Sequence, residues 1–274
     1  MAERSRRAAV LGRPIAHSLS PVLHRAAYAE LGLDWTYTAI DCGVDELGAV
    51  LAERTDWAGF SCTMPLKRVV LAAADEVRPV ARAVGAANTV LPRPGGGWIA
   101  DNTDVAGMVA ALAENVVHPR TMTILGAGGT AQAAVAAAAV IGVQECSVLV
   151  RDVSRTRELR ATAEAMGIRL QFAELNPQAR TLDADLVVST VPRGAADPLA
   201  GHGWRPEQTV FDVVYDPWPT PLAGGASARG AKVLSGALML LHQAAAQVEL
   251  MTGQEAPVPA MRAALHAAAP NCGV

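Results

Sequence analysis

The chain has 274 residues, 51% of them hydrophobic, and a formal net charge of −3. That is length enough for one large or two medium domains with a sizeable core. The mixed charge gives no argument for a nucleic-acid partner, and no apolar run approaches the ~20 residues of a membrane span. Cys42, Cys62, Cys146 and Cys272 lie too far apart for a CxxC pair or a metal-ligand spacing, so they read as small buried hydrophobes in a reducing cytoplasm, with no metal site. The N-terminus carries early positive charges but enters a strand pattern without a signal-peptide core or cleavage site.

Ala8 to Gly12 is a short buried strand, and Arg13 to Pro21 is the loop after it. Ser20 before Pro21 reads as a helix start, a capping hydroxyl followed by proline in the first turn. That helix carries Val22, Leu23, Ala26, Ala27 and Leu31 at helical spacing and stops at Gly32. Trp35 to Ile40 alternates as a second strand, Val44 to Arg54 is a helix, and Trp57 to Thr63 is a third strand. Met64 to Lys67 opens the next helix, again with proline early. Asn88 to Leu91 is a strand, Pro92 to Gly97 a hairpin turn, and Trp98 to Ala100 pairs back. Asp101 to Asp104 caps a helix from about Val105 to Glu114, and a domain junction falls within 104–114.

Thr121 to Leu125 is a further buried strand, followed by Gly126, Gly128 and Gly129 in G-x-G-G-x-A spacing and, from Thr130, by an alanine-rich helix. A strand entering a helix through glycines is the phosphate-binding element of dinucleotide folds. Gly126 permits the tight turn, Gly128 lets a pyrophosphate approach the backbone, and the helix N-terminus offers unpaired N–H groups and a positive dipole end. An ordinary tight turn gives the same pattern, but a second strand, Cys146 to Val150, follows after one helix and favours a nucleotide. A helix over 154–166 and strands over 168–173, 185–190, 209–214 and Gly230 to Leu234 continue the alternation. A long apolar helix, Ala237 to Met251, and a shorter one near 257–268 close the chain. The whole is α/β, with a mixed sheet of Rossmann type in the second half and ligand at the carboxyl ends of its strands.

Polar clusters fall at several strand ends. Ser18 and Ser20 place two hydroxyls beside a helix N-terminus, which suits a carboxylate, although capping by Ser20 is the plainer reading. Lys67 follows a strand end in the segment Ser61 to Lys67. It is one of only two lysines, with Lys232, among 23 basic residues. Lysine can exchange a proton where arginine holds its own. Near a helix N-terminus it calls for a carboxylate or a ligand as compensation. Asn102, Thr103 and Asp104 open a helix with one acid free for other work. Asn88 and Thr89 start a strand after Gly85, where turn chemistry is the alternative. Gln243 is a polar residue in an apolar helix, and His242 beside it reads as a packed or surface histidine.

In order along almost the whole chain, Gly12 to Pro21, Thr63 to Lys67, Gly85 to Thr89, Asp101 to Gly107, Gly126 to Gly129, Tyr215 to Pro217 and Met239 to Ala244 resemble the shikimate dehydrogenase family. The resemblance implies that Ser18 and Ser20 hold a shikimate carboxylate. Thr63, Lys67, Asn88, Asp104 and Gln243 would bind the ring hydroxyls, and Tyr215 would line the same cleft. Lys67 and Asp104 would form the catalytic pair for reversible reduction of 3-dehydroshikimate to shikimate, a step toward aromatic amino acids. It implies an N-terminal α/β substrate domain with a mostly parallel sheet, residues 1–105 and 237–274, and a Rossmann-type NADP-binding domain over 106–236. Gly126, Ala127, Gly128, Gly129 and Thr130 would hold the pyrophosphate.

Arg151 and Arg155 stand where NADP-using members clamp the adenosine 2′-phosphate, which places NADP ahead of NAD. Two positions depart from that pattern: Val150 replaces Asn and Asp152 replaces Thr. Asp152 could read ribose hydroxyls instead, as in NAD enzymes, or pair with an arginine. Ser61 and Cys62 stand where many members have Asn-Val, and Ser20 leans toward shikimate over quinate. A cytoplasmic enzyme, monomer or homodimer, is expected. The alternatives are a NAD-preferring quinate/shikimate or aminoshikimate dehydrogenase, and a dinucleotide-binding sensor without turnover.

Overall fold

The computed structural model describes residues 5–53 and 56–274. The chain divides into two units, Met1–Ala106 with Leu241–Ala268, and Gly107–Leu240 with Ala269–Val274.

In unit 1, β1 (Arg7–Gly12) leads through a loop into α1 (Ser20–Glu30), and β2 (Thr36–Asp41) returns parallel to β1. A 3-10 turn, Val44–Glu46, and α2 (Leu47–Ala52) occupy the stretch read as one helix, whose last residue, Arg54, lies outside the described residues. β3 (Trp57–Cys62) pairs with the other side of β1. The next helix, α3 (Val69–Ala73), starts later than its sequence suggests, and residues 64–68 are turns. The reason is tertiary: the Lys67 carbonyl accepts the Ala87 N–H at 2.6 Å instead of joining a helical ladder.

β4 (Glu76–Val77) and α4 (Pro79–Val84) are too short to be legible in the sequence. α4 ends at Gly85, which takes the left-handed conformation at φ 71° and returns its N–H to the Ala81 carbonyl. β5 (Thr89–Pro92) and β6 (Trp98–Asp101) form the expected hairpin before α5 (Asp104–Glu114).

The sheet order is β2-β1-β3-β5-β6-β4, with β5 antiparallel to both its neighbours and the other pairs parallel. Alternation along the strands sends Ala9, Leu11, Phe60, Cys62 and Val90 to one core with Leu51, Val70 and Ala81. Ala8, Val10, Tyr37, Ala58 and Leu91 face a second core on the other side with Tyr28. Both faces are covered along β1 and β3, which are buried almost throughout, whereas the edge strand β2 is mostly exposed.

Unit 2 carries β7 (Met122–Leu125), α6 (Gly129–Val140), β8 (Glu145–Val150), α7 (Arg157–Met166), β9 (Arg169–Glu174), β10 (Leu186–Ser189), β11 (Thr209–Asp212), α8 (Pro221–Ser227) and β12 (Lys232–Ser235). Its order is β12-β11-β10-β7-β8-β9. Every pairing is parallel, correcting the mixed sheet expected here. No hairpin joins consecutive strands, so each connection crosses over. The order reverses between β7 and β10, the switch point at which doubly wound sheets open a crevice.

α9 (Gly236–Thr252) leaves β12 directly, so its first residues group with unit 2 and the remainder, with α10 (Val258–Ala268), with unit 1. The sequence reading assigned all of 237–274 to the first unit. Ala269–Val274 instead groups with unit 2, where the Ser235 hydroxyl donates to the Cys272 carbonyl. Among the described residues no helix is long and apolar enough to cross a membrane, and no group of three His, Cys, Asp or Glu residues could hold a metal ion.

Candidate active site

In unit 1 the polar residues gather at one edge of the sheet because of its topology. β1 and β3 end there, at Gly12 and Cys62, and so does β6, at Asp101. The antiparallel β5 starts there, with Thr89 opposite both Ser61 and Asp101. The loops carrying Ser18, Thr63, Lys67, Asn88 and Asp104 therefore leave from neighbouring strand ends. Gly12 is needed for this convergence, since a Cβ there would collide with the Thr63 methyl and stand 2.8 Å from the Met64 carbonyl.

Lys67 Nζ donates to Asp104 Oδ2 over 2.5 Å, with the lysine side chain 25% exposed and the aspartate 6%. Asn88 Nδ2 lies 2.9 Å from Asp104 Oδ1, 2.9 Å from Thr103 Oγ1 and 3.2 Å from Gln243 Oε1. Asp104 is free for this because Asn102 caps α5, its Oδ1 accepting the N–H groups of Asp104 at 2.9 Å and Val105 at 3.3 Å. The sequence left open which acid capped the helix; neither does. A buried carboxylate with a lysine on one oxygen and an amide on the other is both neutralised and held in orientation.

Ser20 is the first residue of α1 and not its cap. The Ser18 hydroxyl instead accepts the Ser20 N–H at 3.3 Å. Thr63 precedes the turn that carries Lys67, its N–H bound to the Leu11 carbonyl at 2.9 Å. Lys67, Asn88, Asp104 and Gln243 are thus joined by hydrogen bonds, Ser18 and Thr63 sit in loops leaving the same edge, and Ser20 opens α1. Tyr215 belongs to unit 2, in the segment after β11, where burial raises the pKa of its phenol.

Three buried residues of unit 1, Gln247, His24 and Tyr37, escaped the sequence reading as site residues. Gln247 lies one helical turn beyond Gln243, and its Nε2 donates to the Asn88 carbonyl at 3.1 Å and to Thr89 Oγ1 at 3.0 Å. Its Oε1 accepts from the Ser61 hydroxyl at 2.8 Å and lies 3.3 Å from His24 Nε2. The i, i+4 pair of glutamines in a largely apolar helix was the available signal. His24 and Tyr37 carried none, because only the folded sheet stacks their rings, at 4.0 Å between centroids.

In unit 2, Gly126 follows β7 at the switch point with φ 105°, and a Cβ there would lie 2.8 Å from Thr190 Oγ1. Gly128 flanks α6 with no side-chain cap, and Gly129 is its first residue. A Cβ at either would meet nothing within 4 Å, so the protein leaves open space over the unpaired N–H groups of the first turn. That space and those donors suit a pyrophosphate. Past the end of β8, Arg151 and Arg155 are exposed, and neither has an ion-pair partner among the described residues. Asp152 is turned into its own loop, accepting the Ser154 N–H at 2.9 Å and hydroxyl at 2.6 Å, which holds its carboxyl below the ordinary range.

The model of the shikimate dehydrogenase substrate binding domain matches residues 10–90, and that of the shikimate 5'-dehydrogenase C-terminal domain matches residues 236–266. Shikimate dehydrogenase (NADP(+)) of Moorella thermoacetica is 37% identical over 277 residues, covering 95% of this chain and 92% of that protein. The crystal structure of shikimate dehydrogenase from Mycobacterium tuberculosis superposes with a TM-score of 0.87 at 42% identity, over 96% of this chain and 99% of that one. The shikimate 5-dehydrogenase of Thermus thermophilus, solved in complex with NADP(H) and shikimate, gives 0.82 at 34% identity, over 96% and 99% of the two chains. With its fold, its paired Lys67 and Asp104 and these full-length likenesses, the chain belongs to the shikimate dehydrogenase family.

Proposed function

We propose that the chain is an NADP-dependent oxidoreductase that interconverts 3-dehydroshikimate and shikimate on the route to aromatic amino acids, acting in the cytoplasm. The observation that carries this is the Lys67–Asp104 pair, 2.5 Å apart and held by Asn88 at the sheet edge of unit 1.

Gly126 to Thr130 would hold the cofactor pyrophosphate in the open space at the head of α6, and Arg151 and Arg155 would take the 2′-phosphate. When bound, the reduced nicotinamide supplies the hydride. As the ketone carbon gains it, negative charge develops on the carbonyl oxygen, and a positioned donor lowers the barrier. Lys67 Nζ gives its proton to that oxygen and, in shikimate oxidation, takes it back from the hydroxyl. Asp104 orients Lys67 and accepts a substrate hydroxyl, while Asn88 keeps Asp104 turned toward both. The Ser18 and Ser20 hydroxyls would take the carboxylate, Thr63 and Gln243 ring hydroxyls, and Tyr215 one side of the substrate. Asp152 Oδ1 is engaged by Ser154, and the two exposed arginines would read the phosphate, which supports NADP over NAD.

Initial rates of shikimate oxidation with NADP and NAD side by side test the reading. Turnover with NADP well above NAD is expected. Preference for NAD would return Asp152 to the ribose and make quinate the next substrate to try. No turnover with either cofactor would refute the reading.

A further inference from the structure

We propose that Gln247 is a positioning residue for the reaction: through Thr89 it sets the Asn88 amide with its N–H toward the Asp104 carboxylate. This rests on the reading of Lys67 and Asp104 as the reacting pair.

The directions of the bonds follow from groups that have no choice. The Asn88 backbone carbonyl can only accept, so the atom of Gln247 lying 3.1 Å from it is the amide nitrogen. Oε1 must then face the Ser61 hydroxyl at 2.8 Å and His24 Nε2 at 3.3 Å, and both donate to it. With the Ser61 proton so committed, Ser61 accepts from the Tyr37 hydroxyl at 2.6 Å. On the other side, Gln247 Nε2 donates to Thr89 Oγ1 at 3.0 Å, so the Thr89 proton passes to Asn88 Oδ1 at 2.9 Å. The Thr103 N–H, which can only donate, reaches the same Oδ1 at 2.8 Å. Asn88 Nδ2 is left facing Asp104.

Five hydrogen bonds therefore run in one direction, from Tyr37 through Ser61, Gln247, Thr89 and Asn88 to the carboxylate. Tyr37, Ser61, Asn88, Thr89 and Gln247 are all at least 96% buried, so water cannot replace a missing link. His24 is held neutral by burial, so its ring carries one proton, and the acceptor Gln247 Oε1 places that proton on Nε2. A buried polar chain whose polarity ends on the reacting carboxylate does more than satisfy a core, because reversing the Asn88 amide would present a lone pair to Asp104.

The variants are Gln247→Met, which conserves volume and removes both ends of the link, Thr89→Val, and Thr89→Ser, which keeps the hydroxyl. The measurements are kcat, KM for shikimate and for NADP, and thermal unfolding on the same preparations. Q247M and T89V should each lower kcat by about three- to tenfold, the worth of one oriented hydrogen bond, with KM for NADP unchanged. T89S should return kcat toward wild type. Because the two links act in series, the double variant Q247M/T89V should fall little below the worse single one.

A lowered unfolding temperature with unchanged kcat in folded Q247M or T89V would show a structural role alone and overturn the proposal. If Q247M does not fold, the Thr89 pair decides by the same criterion. Wild-type protein without turnover would defeat the functional reading itself. The side-chain amide resonances of Asn88 then decide this one: they should shift in T89V and not in T89S, and an unmoved amide overturns it.

Discussion

Replacing Lys67 with methionine removes the charge and the proton while keeping an unbranched side chain of similar reach. Lys67 Nζ sits 2.5 Å from Asp104 Oδ2, on a carboxylate whose other oxygen is 2.9 Å from Asn88 Nδ2. A positioned acid or base contributes ~10²–10⁴ in rate, which at about 1.4 kcal/mol per decade is about 3–5 kcal/mol of transition-state stabilisation. Stability should move much less. Breaking a buried pair costs about 3–5 kcal/mol, but the lysine side chain is 25% exposed and water can approach the place it vacates. A loss of about 1–2 kcal/mol is therefore expected.

The assay is initial-rate shikimate oxidation followed at the reduced-nicotinamide absorbance, with urea unfolding of the same protein. Lys67→Met should lower kcat at least about a hundredfold and shift KM for shikimate far less. Asp104→Asn should be comparably damaging and the double variant hardly worse, since groups acting as a unit are not additive. A folded K67M enzyme turning over within a few-fold of wild type would refute the assignment of Lys67 to proton transfer.

Gly128→Ala places a methyl in open space at a backbone conformation any residue adopts, so unfolding should be unchanged while KM for NADP rises at least about tenfold, loss of close backbone approach being the cause. Gly126→Ala, at φ 105° and against Thr190, should instead destabilise by about 1–3 kcal/mol in urea unfolding; equal stability of the two variants would contradict the geometry. Arg151→Ala and Arg155→Ala should each raise KM for NADP about tenfold or more and leave KM for NAD alone, since a charge-assisted phosphate bond is worth about 1.5–3 kcal/mol. Parallel losses for both cofactors would show that the arginines do not read the phosphate.

Burial lowers the His24 pKa from 6.5 to about 3. The unfolded chain therefore takes up the proton first on acidification, and the stability due to the neutral ring is present above pH 6.5 and lost as pH falls toward about 3. Urea midpoints measured across that range should decline less steeply in His24→Phe than in wild type, and equal slopes would remove His24 from the acid sensitivity.

The sequence alone determined what depends on local pattern. Strands buried on both faces read as apolar runs, Gly126, Gly128 and Gly129 marked the turn into α6, and the rarity of lysine drew attention to Lys67. The turns of 64–68 were beyond it, because the Lys67 carbonyl accepts from Ala87 far along the chain, and β4 and α4 were too short to be legible. Asp104 was identified, but its freedom from capping was decided by the Asn102 side chain. Asp152 admits more than one reading in the sequence, and only the folded loop shows its Oδ1 accepting from Ser154.

Gln247 shows the limit most plainly. Its spacing from Gln243 is visible along the helix, yet its partners, Ser61, Thr89 and His24, come from β3, β5 and α1. Local periodicity says which residues share a face. Which buried donor meets which acceptor depends on strand order and register, and these exist only once the sheet has formed.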